Sequence, residues 1–262
     1  MEILGYLLSI VMGLTLGLLG GGGSILTVPI LVYVLAIDPV LATAYSLFVV
    51  GATSVIGGWR KHTENLVEWK IGLVFAAPSL VAVFLTRYYL VPAIPEEIFT
   101  AGSFTLTKNI AIMTFFGIVM LFASTSMIKG SKNGAESKDR PFNLPLILIE
   151  GLVVGTVTGL VGAGGGFLIV PALVLLVGLP IKKAVGTSLI IIAIKSLIGF
   201  LGDIGSGQDI DWGFLGLFTV FSAIGMFIGI YATRFISADG LKKAFGWFVL
   251  LMGIFIIYKE LF

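Results

Sequence analysis

The sequence predicts an all-α polytopic membrane protein made of two inverted-topology repeats, each with a Gly-broken helix pair, and about 8–10 membrane segments in all. Three observations carry that prediction. Of 262 residues, 58% are hydrophobic and only 11% charged, with a mean hydropathy of +1.11, which is more apolar than a water-soluble domain. Apolar runs recur from end to end, and the second half repeats the first.

The runs fall near 3–19, 24–36, 40–59, 70–91, 109–128, 143–161, 167–179, 184–202, 212–235 and 241–258. At about 1.5 Å per residue, a run of about 20 residues crosses a hydrocarbon core about 30 Å thick. The runs at 24–36 and 167–179 are too short to do so, and both follow glycine clusters, 20–23 and 164–166. No early stretch reads as a cleavable signal, so the first run is expected to stay. The polar stretch 129–141, KGSKNGAESKDRP, divides the chain into a first transmembrane repeat (1–128), a cytoplasmic linker (129–141) and a second, inverted repeat (142–262).

Laid over one another without gaps at an offset of 142, residues 13–57 and 155–199 share 17 of 45 positions, among them the pairs Gly20/Gly162, Gly23/Gly165, Pro29/Pro171, Ser46/Ser188, Ser54/Ser196 and Gly57/Gly199. Coincident glycines, prolines and serines point to an internal duplication. Charge placement gives its orientation, since Lys and Arg in short loops favour the cytoplasm. Arg60, Lys61, Lys70, Lys129, Lys132, Lys138, Arg140, Lys182, Lys183, Arg234, Lys242 and Lys243 can all lie inside, which puts the loops around Asp38, Glu96 and Asp203 to Asp211 outside, together with Arg87, Lys108 and Lys259. Matched loops then carry opposite signs, the copies are inverted, and both termini face outward in a cell inner membrane.

A broken membrane helix offers free N–H groups and the positive end of its dipole at the start of its second segment, where an anion is attracted. Glycine lets the backbone approach a ligand closely, and non-helical backbone at depth must line a cavity or be buried in protein. The candidate binding residues are accordingly Gly22, Gly23 and Ser24 in the first copy and Gly164, Gly165 and Gly166 in the second, with the two short-helix starts facing each other near the midplane. Ser46, Thr187 and Ser188 add hydroxyls, and Ser54 and Ser196 are secondary candidates; hydroxyls in membrane helices also bond their own carbonyls. Spaced glycines (Gly13, Gly17, Gly151, Gly155, Gly159) read as helix packing. Tyr45 reads as packing, and His62, the only histidine, as a solvated boundary residue.

Lys195 is the one charge well inside an apolar span, sharing a helical stripe with Ser188 and Gly199. Such a charge faces a cavity or a partner, so it either contacts the anion or pairs with Glu150, unless its head snorkels to the interface. Glu150 is also a possible protonatable coupling group. Zero cysteines remove disulfides and thiolate chemistry. No HExxH, nucleophile elbow, dinucleotide fingerprint or P-loop is present, so no enzyme, metal, cofactor or nucleic-acid partner is expected. The expected partners are lipid, a small anion and, in one arrangement, further copies of the chain.

GLTLGLLGGGGSILTVPILVYVL (13–35) and GTVTGLVGAGGGFLIVPALVLLVGLP (155–180), followed by ATAYSL (42–47) and AVGTSL (184–189), resemble the TauE/SafE sulfite exporter family of membrane permeases over nearly the whole chain. The resemblance implies a secondary transporter for sulfite, thiosulfate, sulfonates or another small organosulfur anion, with H+ or Na+ as the undetermined coupling ion. An anion channel or uncoupled uniporter of the same architecture, and a non-transporting assembly subunit, are the alternatives.

Overall fold

The computed structural model describes residues 2–101, 104–129, 144–175, 177–233, 235 and 238–262. The linker beyond Lys129 and Arg234 therefore lie outside the described residues. Helix dominates because in hydrocarbon every backbone N–H and C=O must be satisfied within its own segment. Among the described residues eight helices are long and apolar enough to cross a membrane, so the chain is a multi-pass, all-helical membrane protein apart from one hairpin.

The first half opens with α1 (Glu2–Leu19), a 3-10 helix (Gly20–Leu26), the short α2 (Thr27–Pro29) and a π-helical turn (Ile30–Val34). These form a hairpin. A Cβ placed on Gly5 would lie 2.5 Å from Leu35 Cδ2, and Gly23 backs onto Thr15 and Leu16, so the short return ends where α1 began. α3 (Pro39–Thr63) follows, its N-terminus capped by the Asp38 carboxylate, which accepts from the Val40 and Leu41 N–H groups at 2.9 and 3.3 Å. α4 (Trp69–Leu85) runs through a π-helical turn (Thr86–Leu90) into α5 (Val91–Ala93), and α6 (Lys108–Lys129) closes the half. Between α5 and α6, where the sequence reading placed only a loop, β1 (Glu97–Ala101) pairs antiparallel with β2 (Phe104–Thr107). EIFTA and FTLT are rich in β-branched and aromatic residues, which suit a pleated ribbon.

The second half contains α7 (Leu144–Val161), α8 (Gly166–Leu175), α9 (Ile181–Gly205), α10 (Trp212–Ala232) and α11 (Ala238–Leu261). Both ends of α1 and α7, and both ends of α3 and α9, are 142 residues apart. Left-handed residues recur at the same spacing: Gly20 (φ 65°) and Gly162 (73°), Ala36 (55°) and Gly178 (78°), Asn65 (56°) and Gly207 (84°).

Small residues set how these helices meet. α3 and α9 cross antiparallel, with Gly51 against Leu197 and Gly58 against Ile190. Gly13 and Gly17 rest on the Ser222 and Met226 carbonyls of α10, and Gly151 and Gly155 rest on the Phe75 and Ser79 carbonyls of α4, so α1 runs parallel to α10 as α7 does to α4. α6 packs on α11, with Gly117 against Gly253 and Ile257. Phe75, Phe116, Phe218, Leu47 and Met113 fill the interior. Phe122, Leu217, Phe227, Trp247 and Leu251 are exposed, as lipid-facing side chains should be.

Candidate functional site

The two glycine turns meet. A Cβ on Gly21 would strike the Gly166 Cα, and one on Gly166 would strike Gly21 Cα, C and O. Three residues further along the first turn, the Ser24 hydroxyl donates to the Ala163 carbonyl at 2.5 Å and lies 2.7 Å from the Gly21 carbonyl. Shifting Gly21 and Gly166 by 142 positions in opposite senses gives Ala163 and Ser24, so the two contacts are mates of one another under exchange of the halves.

Local sequence dictates where each reversal falls. In the first copy it occurs at Gly20, three residues before the Gly23/Ser24 helix start expected from sequence. Gly20 alone in that run takes a positive φ, and Gly21–Gly23 continue in 3-10 geometry. In the second copy Gly162, Gly164 and Gly165 are all left-handed (φ 73°, 63° and 69°), and a regular helix starts at Gly166. That start is the cleaner of the two N-termini. A Cβ on Gly22 would meet, among the described residues, only the Leu19 and Met127 side chains, at 3.6 and 3.7 Å.

Each turn is held by the long helix of the opposite copy. Gly162 sits on Thr43 and Gly164 on Val50 of α3; Gly20 sits on Val185 and Gly21 on Ile192 of α9. Thr43/Val185 and Val50/Ile192 are themselves 142 apart. Ser46 lies on the α3 side bounded by Thr43 and Val50. It is fully buried and its Oγ has no hydrogen-bond partner among the described residues; the same is true of Ser54 and Ser196.

Lys195 is fully buried beside the second turn. Its Nζ donates to Thr158 Oγ1 at 2.8 Å and would lie 2.9 Å from a Cβ on Gly165. Among the described residues no carboxylate pairs with it, so the alternative pairing with Glu150 is not formed; Glu150 is half-buried with Oε2 unpartnered. The residue matching Lys195 in the first copy is Thr53, whose hydroxyl lies 3.0 Å from Ser222 Oγ.

Two hydroxyls chosen from sequence are engaged elsewhere. Thr187 Oγ1 accepts from the Glu68 N–H at 2.9 Å, and Ser188 Oγ donates to the Val185 carbonyl at 2.8 Å. Thr187 thus anchors the α3–α4 loop, which Lys183 also grips through Glu68. Tyr45, its counterpart, does the same at the opposite end, where its hydroxyl accepts from the Asp211 N–H at 2.8 Å. Within the 64–68 loop, partial burial pushes the Glu64 carboxyl up, and the hydrogen bonds and charges of Lys61 and Arg60 outweigh this and leave it below its ordinary value. His62 accepts from Trp69 Nε1 at 3.2 Å at the exposed rim.

The sequence reading missed one buried cluster. Arg87, assigned from sequence to the outer side at the end of the 70–91 run, is fully buried in the π-helical turn, and Asp203, assigned to an outer loop, is buried inside α9. Arg87 Nε donates to Asp203 Oδ2 at 2.9 Å, and both its terminal nitrogens donate to Thr43 Oγ1 at 3.0 Å. Asp203 and Arg87 thereby fix Thr43, and Thr43 supports Gly162. The available signal was that both charges fall at the ends of apolar runs; their separation of 116 residues hid the pairing.

The family model described as "Sulfite exporter TauE/SafE" matches residues 6–256. A probable membrane transporter protein of Xylella fastidiosa is 29% identical over 258 residues, covering 95% of this chain and 92% of the relative. The Bacillus subtilis probable membrane transporter protein YunE is 28% identical over 227 residues (79% and 81%), and one from Methanocaldococcus jannaschii is 28% identical over 203 (74% and 70%). No solved structure matches the chain. Together with its apolar helices and paired glycine turns, these similarities establish that the chain is a membrane transporter protein of the TauE/SafE sulfite exporter family.

Proposed function

We propose that the protein is a secondary transporter that moves a small anion, a sulfur oxyanion or organosulfonate such as sulfite, by alternating exposure of a site between its two glycine turns. The observation that carries this reading is the mutual contact of Gly21 with Gly166 and of Ser24 with Ala163, beside the unpaired Lys195. In the conformation described, the turns touch and the site is shut. Parting them would open a space bounded by the α8 N-terminus, the Ser24 and Ser46 hydroxyls and the Lys195 ammonium. Helix-terminal N–H groups and a cation together suit an oxyanion. Ser24, Ser46, Gly164, Gly165, Gly166 and Lys195 form the core of the proposed site, with Gly22 and Gly23 lining the first turn. Ser188 borders it through Val185, against which Gly20 packs, whereas Thr187 stands apart as the anchor of the α3–α4 loop, and Glu150, eight residues before Thr158 on α7, is the candidate coupling group.

The two halves are, in this reading, inverted repeats. The antiparallel crossing of the matched helices α3 and α9, and the exchange of contacts between α1·α10 and α7·α4, support it. The end carrying Glu68 and Lys183 is assigned to the cytoplasm of a cell membrane, with the opposite end and both termini outside. Contact between the turns argues against a standing pore and favours a carrier over a channel.

The test is flux in proteoliposomes. Sulfite or methanesulfonate should enter vesicles that hold the wild-type protein, and Gly166→Val, which drives a side chain into Gly21, should reduce flux to background while the protein still inserts. Wild-type flux in Gly166→Val would overturn the site.

A further inference from the structure

We propose that the site selects singly charged anions over dianions, so that organic sulfonates and hydrogen sulfite are accepted while sulfate and thiosulfate are refused. The inference rests on the transporter reading above and adds the charge state of the substrate.

It follows from the inventory of buried charge. Among the described residues the buried charged side chains are Arg87, Lys108, Lys195 and Asp203; Glu150, only half-buried on α7 eight residues before Thr158, makes no ion pair with any of them. Arg87 and Asp203 cancel at 2.9 Å. Lys108 opens α6 beside the hairpin and faces Glu96 at 3.6 Å. Lys195 is left with one neutral partner, the Thr158 hydroxyl. The copy that could have supplied a second cation has Thr53 at the matching place, already engaged with Ser222.

In a low-dielectric interior charges interact strongly and an uncompensated one is costly. A monoanion brings the core to zero net charge, with its oxygens free to accept from Lys195, Ser24 and Ser46. A dianion leaves one negative charge with no cation to meet it. Size is a weak discriminator between methanesulfonate and sulfate, which are both tetrahedral at sulfur and differ by a methyl group in place of one oxygen. Charge is the difference the site can read.

The experiment is counterflow of labelled methanesulfonate in proteoliposomes of the full-length protein, with unlabelled methanesulfonate, sulfate and thiosulfate as competitors. The expected result is that sulfate and thiosulfate compete at least tenfold more weakly than methanesulfonate. Exchange of a monoanion through a neutral loaded core should also change less than twofold when a potassium diffusion potential is imposed. Lys195→Met should lower methanesulfonate exchange at least tenfold and Lys195→Arg should retain most of it. Equal competition by sulfate would overturn the charge-counting proposal and leave the transporter reading standing, and the wild-type protein suffices to show it. Absence of any anion flux from the wild-type protein would overturn both.

Discussion

Hydroxyl groups that look alike in the sequence have different duties, and substitution should separate them. The Ser46 hydroxyl is buried without a partner, so Ser46→Ala removes no hydrogen bond from the resting protein. Removing an unsatisfied buried hydroxyl is neutral or stabilising, so thermal stability in detergent should not fall below wild type, while anion-dependent stabilisation weakens. Thr187→Ala, by contrast, orphans the Glu68 N–H. Loss of that bond should cost about 1 kcal/mol, read as a lower melting temperature without loss of ligand-dependent stabilisation. Gly21→Ala adds a methyl group against the Gly166 backbone; overpacking of this kind costs about 1–3 kcal/mol, measurable by the same melt. The glycine clusters were legible in sequence because four glycines inside an apolar run have no use in an ordinary membrane helix. The duties of Thr187 and Tyr45 were not, since each depends on a loop that folds back from elsewhere in the chain.

At the level of elements, the π-helical turn Thr86–Leu90 matters most outside the glycine hairpins. It places Arg87 where it can reach α9 and α3 together. Breaking a buried ion pair by removing one partner leaves the other charge stranded, at a cost of about 3–5 kcal/mol. Arg87→Leu should therefore destabilise the protein by that amount, and Arg87→Leu with Asp203→Leu should recover much of it; equal melting temperatures for the single and double variants would refute the pairing. The spans themselves were well read, because apolar runs of membrane length have few other fates. The re-entry of the first pair was only half visible, as a run too short to cross. The β1–β2 hairpin was hidden because an extramembrane excursion of this length has no bilayer to dictate its form.

For the whole molecule, the absence of cysteine allows a clean test of motion. Ser24→Cys combined with Ala163→Cys places two thiols across the contact between the turns. If transport requires the turns to part, oxidation should abolish flux and a reductant should restore it. Undiminished flux after complete oxidation would show that the turns do not move relative to each other. The 142-residue spacing of like residues was legible from sequence and recurs in the helix bounds and left-handed positions, yet the exchange of partners between the halves was not. Identical residues say that two segments are alike and nothing about which of the two long helices each turn rests on.

That exchange has a consequence for what either half could do alone. Val185 and Ile192 pack the first turn, and Thr43 and Val50 pack the second, so neither glycine turn is enclosed by its own half alone. If the halves are the inverted copies proposed above, a single copy would complete its turn only against a second, oppositely inserted molecule, and one polypeptide fixes that pairing at one to one.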